Sequence, residues 1–324
     1  MSTLRWGILS SARINRSIVP ALRASGRHTL VAIASRHHER AEACAREWDI
    51  PRIHGSYAEL LADPGIDAIY NPLPNSLHAE WTIRAAGAGK HVLCEKPLAL
   101  STMEVDAVAE AADRAGVVVA EAFMYRHHPQ TLRIKALIDE GAIGDLQLIR
   151  SAFTFTLTRP NDVRLDPALG GGSLWDVGCY PVSMARYLTG REPRRVAGFQ
   201  RLGPTGIDLS FYGEMDFGGV QAQFDCGFAA PLRTRLEVIG SAGAITVNAP
   251  FKPGLEEQVT IARDGGTETM TIAGQPLYGG QVDEFADAVI DGRAPRIPLT
   301  DSRATVAAIE ALHRAASEGR IVDL

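Results

Sequence analysis

The run Gly89-Lys90-His91-Val92-Leu93-Cys94-Glu95-Lys96-Pro97-Leu98 decides how the first half of the chain is read. Apolar residues lead into it as into a buried strand, and it breaks at a glutamate, a lysine and a proline. Proline has no N–H for a ladder and holds the preceding residue extended. Lys96 is therefore expected at the carboxyl end of a strand, the edge where open α/β sheets place their ligands. A lysine held there can move a proton or polarise an oxygen. Taken alone, the run reads equally well as a strand ending in solvent beside a surface lysine.

Outward from this run the chain alternates strand and helix. Strand-like runs cover 4–9, 29–34, 68–71, 91–95 and 117–120, with helical patterns at 17–24, 39–47, 77–88 and 102–115. Ser56-x-x-Glu59 and Ser101-x-x-Glu104 are capping boxes that open two helices. This alternation predicts an α/β domain, a doubly wound parallel sheet covered on both faces, over residues 1–122. From there the rhythm changes. A helix near 129–139 precedes strand-like segments at 147–158, 195–201, 209–217, 220–226, 234–239, 244–247, 258–262 and 268–272. Gly218-Gly219 and Asp264-Gly265-Gly266 join some of these as hairpin turns. Helical patterns return at 281–291 and 302–317. Residues 123–324 are thus expected to form an α+β domain with a large, mostly antiparallel open sheet, after a short junction. An open sheet buries one face and hides the other, often in an oligomer interface.

Composition narrows the function classes. The 324 residues are 46% hydrophobic and 22% charged, as in a soluble globular protein, and the net charge of −5 gives no field that draws nucleic acid. Cys44, Cys94, Cys179 and Cys226 are widely spaced, which suits buried thiols in a reducing cytosol. Residues 1–9 lack signal-peptide character and no apolar stretch reaches membrane-spanning length. The expectation is a cytoplasmic protein with no membrane partner. His37-His38 and His127-His128 lack metal-ligand spacing, so no metal is expected.

Gly7-Ile8-Leu9-Ser10-Ser11-Ala12 lies between the first strand and first helix, where a G-x-G-x-x-G fingerprint would sit. Gly7 can make the tight turn and Ala12 permits close packing. Ser10 stands where backbone approach to a pyrophosphate favours glycine. After the second strand come Ser35 and Arg36, with no acid before Glu39. Ser35 can bond a 2′-phosphate, and Arg36 can pair with it and stack on adenine, so NADP(H) is favoured over NAD(H). The alternative is a solvated basic turn. Ser11, Arg13, Ile14, Pro72, Leu73, Asn75, His78, Glu95 and Lys96 complete the cofactor-binding candidates. Asn75 or Ser76 can equally cap the next helix, and His78 reads as structural rather than catalytic.

Asp176 and Tyr180 share a face if Gly170-Gly171-Gly172-Ser173-Leu174-Trp175-Asp176-Val177-Gly178-Cys179-Tyr180 is helical. The triple glycine lets the backbone pass close to a ligand or to the other domain, and Pro181 either kinks the helix or sits in its first turn. A tyrosine hydroxyl beside a lysine ammonium ionises more easily and can act as a general acid or base. Lys96, Tyr180 and Asp176 are the catalytic candidates. Without Lys96, Tyr180 would read as a packing residue and Asp176 as a cap. Arg126, Arg164 and Tyr278 join the catalytic three as substrate-binding candidates, each with a salt-bridge, surface or packing alternative.

These residues resemble the Gfo/Idh/MocA oxidoreductase family along essentially the whole chain. The matching pieces are the Gly7-to-Ala12 loop, Pro72-Leu73-Pro74-Asn75-x-x-His78, Gly89-Lys90-His91-Val92 running into Glu95-Lys96-Pro97, Glu121-Ala122-Phe123-Met124-Tyr125-Arg126, Gly141-x-x-Gly144, and Gly170-Gly171-Gly172 through Asp176 and Tyr180. The resemblance implies a Rossmann domain joined to an α/β domain whose open sheet builds homodimers or homotetramers. It also implies hydride transfer between a nicotinamide cofactor and a carbinol carbon of a sugar, cyclitol or diol. By it, Lys96 is the active-site lysine that hydrogen-bonds the reacting oxygen. Tyr180, where many members have histidine, is similar to the branch with glucose–fructose oxidoreductase, dimeric dihydrodiol dehydrogenase and NADP-dependent aldose dehydrogenases of xylose or glucose. That branch commonly uses NADP(H), and Ser10 is its usual departure. Dihydrodiol dehydrogenase or keto-sugar reductase activity is the alternative. A cofactor-retaining NAD-dependent glycosidase and a non-catalytic NADP-binding regulator are further readings, and a regulator has no need of the Lys96, Asp176 and Tyr180 set.

Overall fold

A computed structural model describes residues 3–324. The chain divides into two compact units. One comprises the chain up to Met124 together with Tyr278–Arg303, and the other Tyr125–Leu277 with Ala304–Leu324.

The first unit holds six parallel strands, β1 (Leu4–Leu9), β2 (His28–Ala34), β3 (Arg52–His54), β4 (Ala68–Asn71), β5 (His91–Cys94) and β6 (Val119–Glu121). They lie in the order β3-β2-β1-β4-β5-β6, so the strand order reverses between β1 and β4. Helices α1 (Asn15–Ala24), α2 (His38–Glu47), α3 (Tyr57–Ala62), α4 (His78–Gly87) and α5 (Thr102–Ala115) connect them. Both capping boxes form. Ser56 accepts from the Glu59 N–H at 3.1 Å and Ser101 from the Glu104 N–H at 3.2 Å, while the two glutamates accept from Gly55 and Leu100 N–H.

The second unit contains α6 (Pro129–Asp139), α7 (Cys179–Thr189) and a nine-stranded sheet. Its strands are β7 (Leu146–Thr156), β8 (Arg195–Leu202), β9 (Asp208–Asp216), β10 (Gln221–Gly227), β11 (Ala229–Gly240), β12 (Ala244–Val247), β13 (Glu256–Arg263) and β14 (Gly266–Ala273), with β15 (Val322–Asp323) at one edge. All pairings are antiparallel except β7 with β10. Phe153, Phe211 and Phe224 are buried, whereas Phe199 is 78% exposed and Tyr212 52% exposed. A shallow groove beside those two rings is lined by Arg150, Glu214, Gln223 and Asp225.

A single cut after residue 122 does not describe this division. Tyr278–Arg303 returns to the first unit because α8 (Gly279–Ile290) carries Val282 and Phe285 into a cluster with Trp6, Ile18, Leu22 and Tyr70. The Trp6 and Phe285 rings lie 5.2 Å apart. Burying a phenylalanine contributes about 3 kcal/mol. The half-exposed pairs of Arg27 with Asp287 and Asp291 contribute less, typically below about 1 kcal/mol each. All four cysteines are buried. Among the described residues no helix is long and apolar enough to cross a membrane, and no group of three or more His, Cys, Asp and Glu side chains is placed to hold a metal ion.

Candidate active site

In the first unit the carboxyl ends of the strands gather the candidates. Gly7 lies inside β1, where a Cβ would meet Leu60 Cδ2 at 2.9 Å and Ile66 Cδ1 at 3.0 Å. Its job is close packing, not the turn expected of it. The turn falls at Ser10, whose φ of 80° is the left-handed region that a side chain strains. The Ser10 N–H donates to the Ala34 carbonyl at 2.7 Å, and Asn15 Nδ2 donates to the Ser10 carbonyl at 3.0 Å. A serine thus holds the conformation that the missing glycine would have taken freely. Ser11, Ala12 and Ile14 are half-buried and Arg13 is exposed just before α1, whose first turn holds no acid. Such a helix start, with the positive end of its dipole and no acid beside it, suits an anion.

At the end of β2, Ser35 is 5% exposed, with its hydroxyl 3.5 Å from that of Ser11. Arg36 is exposed and lies near the Tyr57 hydroxyl. After β4, Pro72 and Leu73 are buried and Asn75 is half-buried. His78 is 1% exposed, and its ring nitrogens lie 2.7 Å from the Leu73 and Pro97 carbonyl oxygens. Burial pushes its pKa down to about 4. The neutral ring has one N–H and serves one carbonyl at a time. His78 therefore shapes two loops rather than reaching a ligand.

The half-buried Lys96 follows β5 between two anchored neighbours. The Glu95 N–H donates to the Asn71 carbonyl at 3.0 Å, and the fully buried Tyr70 hydroxyl donates to the Glu95 carboxylate at 2.6 Å. The Pro97 carbonyl faces His78, the Lys96–Pro97 peptide is cis, and the Leu98 N–H donates to Glu121 at 2.9 Å. Tyr278 belongs to this unit. It packs on the Trp6 cluster, and burial, with the Glu95 charge, holds its hydroxyl in the protonated form.

In the second unit the glycine run closes on its own unit. A Cβ at Gly171 would lie 2.5 Å from the Arg164 carbonyl oxygen, so this approach is to the turn at 164–166 and not to a ligand. Leu174–Gly178 winds as a π-helical turn and α7 starts at Cys179, so Asp176 and Tyr180 sit in successive elements. Pro181 lies in the first turn of α7. The structure brings together two residues that the sequence offered separately: Arg164 Nε donates to Asp176 Oδ2 at 2.6 Å. Asp162 takes a second bond from the guanidinium at 3.1 Å, and the Asp176 charge, with that of Asp162, keeps Arg164 firmly protonated.

Tyr180 is 5% exposed, its ring 5.2 Å from Phe153, 5.6 Å from Phe251 and 5.7 Å from Tyr125. Arg126 is 4% exposed, donates to Ser183 Oγ at 3.1 Å and lies 4.1 Å over the Tyr187 ring. That environment gives Arg126 a packing role within the unit. Asp162 and Asp208 are the residues that sequence reasoning missed. Asp162 caps the turn that carries Arg164, two residues on, whereas no local motif marks Asp208, which acts on a segment distant in the chain.

Residues 4–123 match the oxidoreductase family with an NAD-binding Rossmann fold, and residues 131–246 match the Gfo/Idh/MocA C-terminal domain. The chain belongs to the Gfo/Idh/MocA oxidoreductase family. A relative in it, a D-xylose 1-dehydrogenase (NADP(+)) of Haloferax volcanii, is 40% identical over 99% of this chain and 100% of its own length. Among solved structures of the same fold, a 3-ketoreductase from Actinomadura kijaniata, in complex with NADP and TDP-benzene, superposes with a TM-score of 0.93 at 31% identity, over 97% of this chain and 98% of its own. An aldose-aldose oxidoreductase from Caulobacter crescentus, complexed with glycerol, gives a TM-score of 0.92 at 29% identity, over 99% and 100% of the two chains.

Proposed function

We propose that this chain is an NADP(H)-dependent oxidoreductase that interconverts a carbinol and a carbonyl in a sugar or related polyol, with an aldose such as D-xylose as the first substrate to test. The observation that carries the reading is the end of β2. It offers Ser35 and Arg36 and no acid before Glu39, beside a helix start without acidic residues. An acid there would favour the free ribose hydroxyl, whereas a hydroxyl and a guanidinium suit a phosphate. These residues therefore fit NADP(H), as does the name of the xylose dehydrogenase relative.

When bound, NADP(H) takes up or supplies the hydride. In this reading the first unit holds the dinucleotide through Ser10 to Ile14, Ser35, Arg36 and the loop at Pro72 to Asn75. The second unit shapes the substrate side. Tyr180 takes the proton from the reacting hydroxyl during oxidation and returns it during reduction, and the Lys96 ammonium polarises the reacting oxygen. Asp176, with Arg164 as its partner, binds substrate hydroxyls or orients Tyr180. The exposed Phe199 and Tyr212 favour a second copy of the chain against the open sheet face, and the buried thiols suit the cytoplasm.

The similarity to a 3-ketoreductase favours keto-sugar reduction as a second reading. One panel separates the two. NADP+ and NAD+ are offered with aldoses, cyclitols and vicinal diols, and NADPH with keto-sugars, and absorbance of the reduced cofactor is followed. Oxidation of an aldose with NADP+ preferred supports the first reading. Turnover only of keto-sugars supports the second, and no turnover of any member sinks both.

A further inference from the structure

We propose that Asp208, the first residue of β9, is a positioning residue for the segment that carries Asp176 and Tyr180; this rests on the reading of Tyr180 as the acid–base group. The Asp208 side chain is 3% exposed. Its Oδ2 accepts from the Ser173 hydroxyl at 2.6 Å and from the Leu174 N–H at 2.7 Å. Those donors stand at the start of the π-helical turn that leads into α7 and Tyr180. The opening N–H groups of a helical segment have no partner within it, so a carboxylate there fixes where the segment begins.

Two glycines let this grip close. Gly172 has φ of 123°, and a Cβ on it would lie 2.3 Å from Asp208 Oδ1. A Cβ at Gly178 would lie 2.9 Å from Cys226 Sγ of β10. The turn is therefore pressed on the sheet at both ends, with Arg164 held to Asp176 between them. A buried carboxylate facing hydrogen-bond donors instead of a cation is costly to keep charged. Burial pushes the Asp208 pKa up to about 6.

The test uses the full chain with Asp208→Ala, Asp208→Asn and Ser173→Ala. The asparagine keeps an oxygen acceptor facing both donors, the alanine removes it, and the serine change removes one donor. Hydrogen exchange of the peptide spanning 173–180 is measured beside kcat and KM for D-xylose and NADP+. Asp208→Ala is expected to speed exchange in that peptide about tenfold and to lower kcat about tenfold or more, leaving KM for NADP+ near the wild-type value. Asp208→Asn is expected to restore both, with Ser173→Ala in between. Equal loosening of β8 to β10 in Asp208→Ala, or no change in either readout, would overturn the assignment. If Asp208→Ala does not fold, Ser173→Ala and Asp208→Asn decide by the same two readouts. If wild type does not act on D-xylose, exchange still judges Asp208, and only the proposed function fails.

Discussion

The carboxyl edge around Lys96 and the glycine turn around Tyr180 hold their residues by different means. Lys96 is fixed from its own sheet: backbone bonds from neighbouring strands, the Tyr70 hydroxyl on Glu95, and His78 between two loop carbonyls. The Tyr180 segment is fixed by charged groups from elsewhere in the chain, namely Arg164, itself paired with Asp162, on Asp176, and Asp208 on the start of the turn. A ladder positions through many weak bonds and depends little on any one of them. A buried side chain positions through few bonds and depends on each of them. One region also buries an acid, Asp208, and the other a histidine, His78, so the two should answer pH in opposite senses.

That contrast gives the largest expected effects. Folding raises the Asp208 pKa from 3.8 to about 6, mainly through burial among Ser173, Leu174 and Cys226. A raised pKa favours the protonated folded state, so this stability is full below about pH 4 and lost as pH rises through 6, in all about 3 kcal/mol. Folding lowers the His78 pKa from 6.5 to about 4, again mainly through burial, with the Lys96 charge as a smaller cause. Its stability is full above pH 6.5 and lost as pH falls through 4, by a similar amount of about 3 kcal/mol. Denaturant midpoints between pH 4 and 7 check both. Asp208→Asn should gain on wild type with rising pH, and His78→Gln with falling pH. Parallel slopes would break the contrast.

Coenzyme choice sharpens the first region. Arg36→Glu is expected to raise KM for NADP+ about tenfold or more, with KM for NAD+ unchanged or lower, because a charge-assisted contact to phosphate is replaced by repulsion. Steady-state kinetics with both cofactors reads this directly. The smallest effect belongs to Ser10. Ser10→Gly relieves the left-handed strain at φ of 80° against a gain in unfolded-chain entropy, for a net stabilisation of about 1 kcal/mol in chemical denaturation.

Local features were legible in the sequence and distant ones were not. The capping boxes at Ser56 and Ser101, the strand leading to Lys96 and the loop at Ser35 and Arg36 each depend on a few adjacent residues, and each lies where the pattern places it. The edge strand β3 was missed because Arg52–His54 is three residues long with no apolar run. Gly7 was assigned a turn because motif position does not distinguish a packing glycine from a left-handed one. The Arg164–Asp176 bond spans 12 residues, Asp208 lies 34 from Leu174, and the Arg27–Asp287 pair spans 260. Chain pattern carries no information on such pairs, and the return of α8 to the first unit follows from them and from Phe285.

The central claim is that Lys96 serves proton transfer in an NADP(H)-dependent oxidation. The most direct test is the rate of NADP+ reduction on D-xylose by wild type beside Lys96→Ala. The account predicts turnover by wild type and a loss of about a hundredfold or more in the variant, with its fold intact. Normal turnover by Lys96→Ala would contradict it.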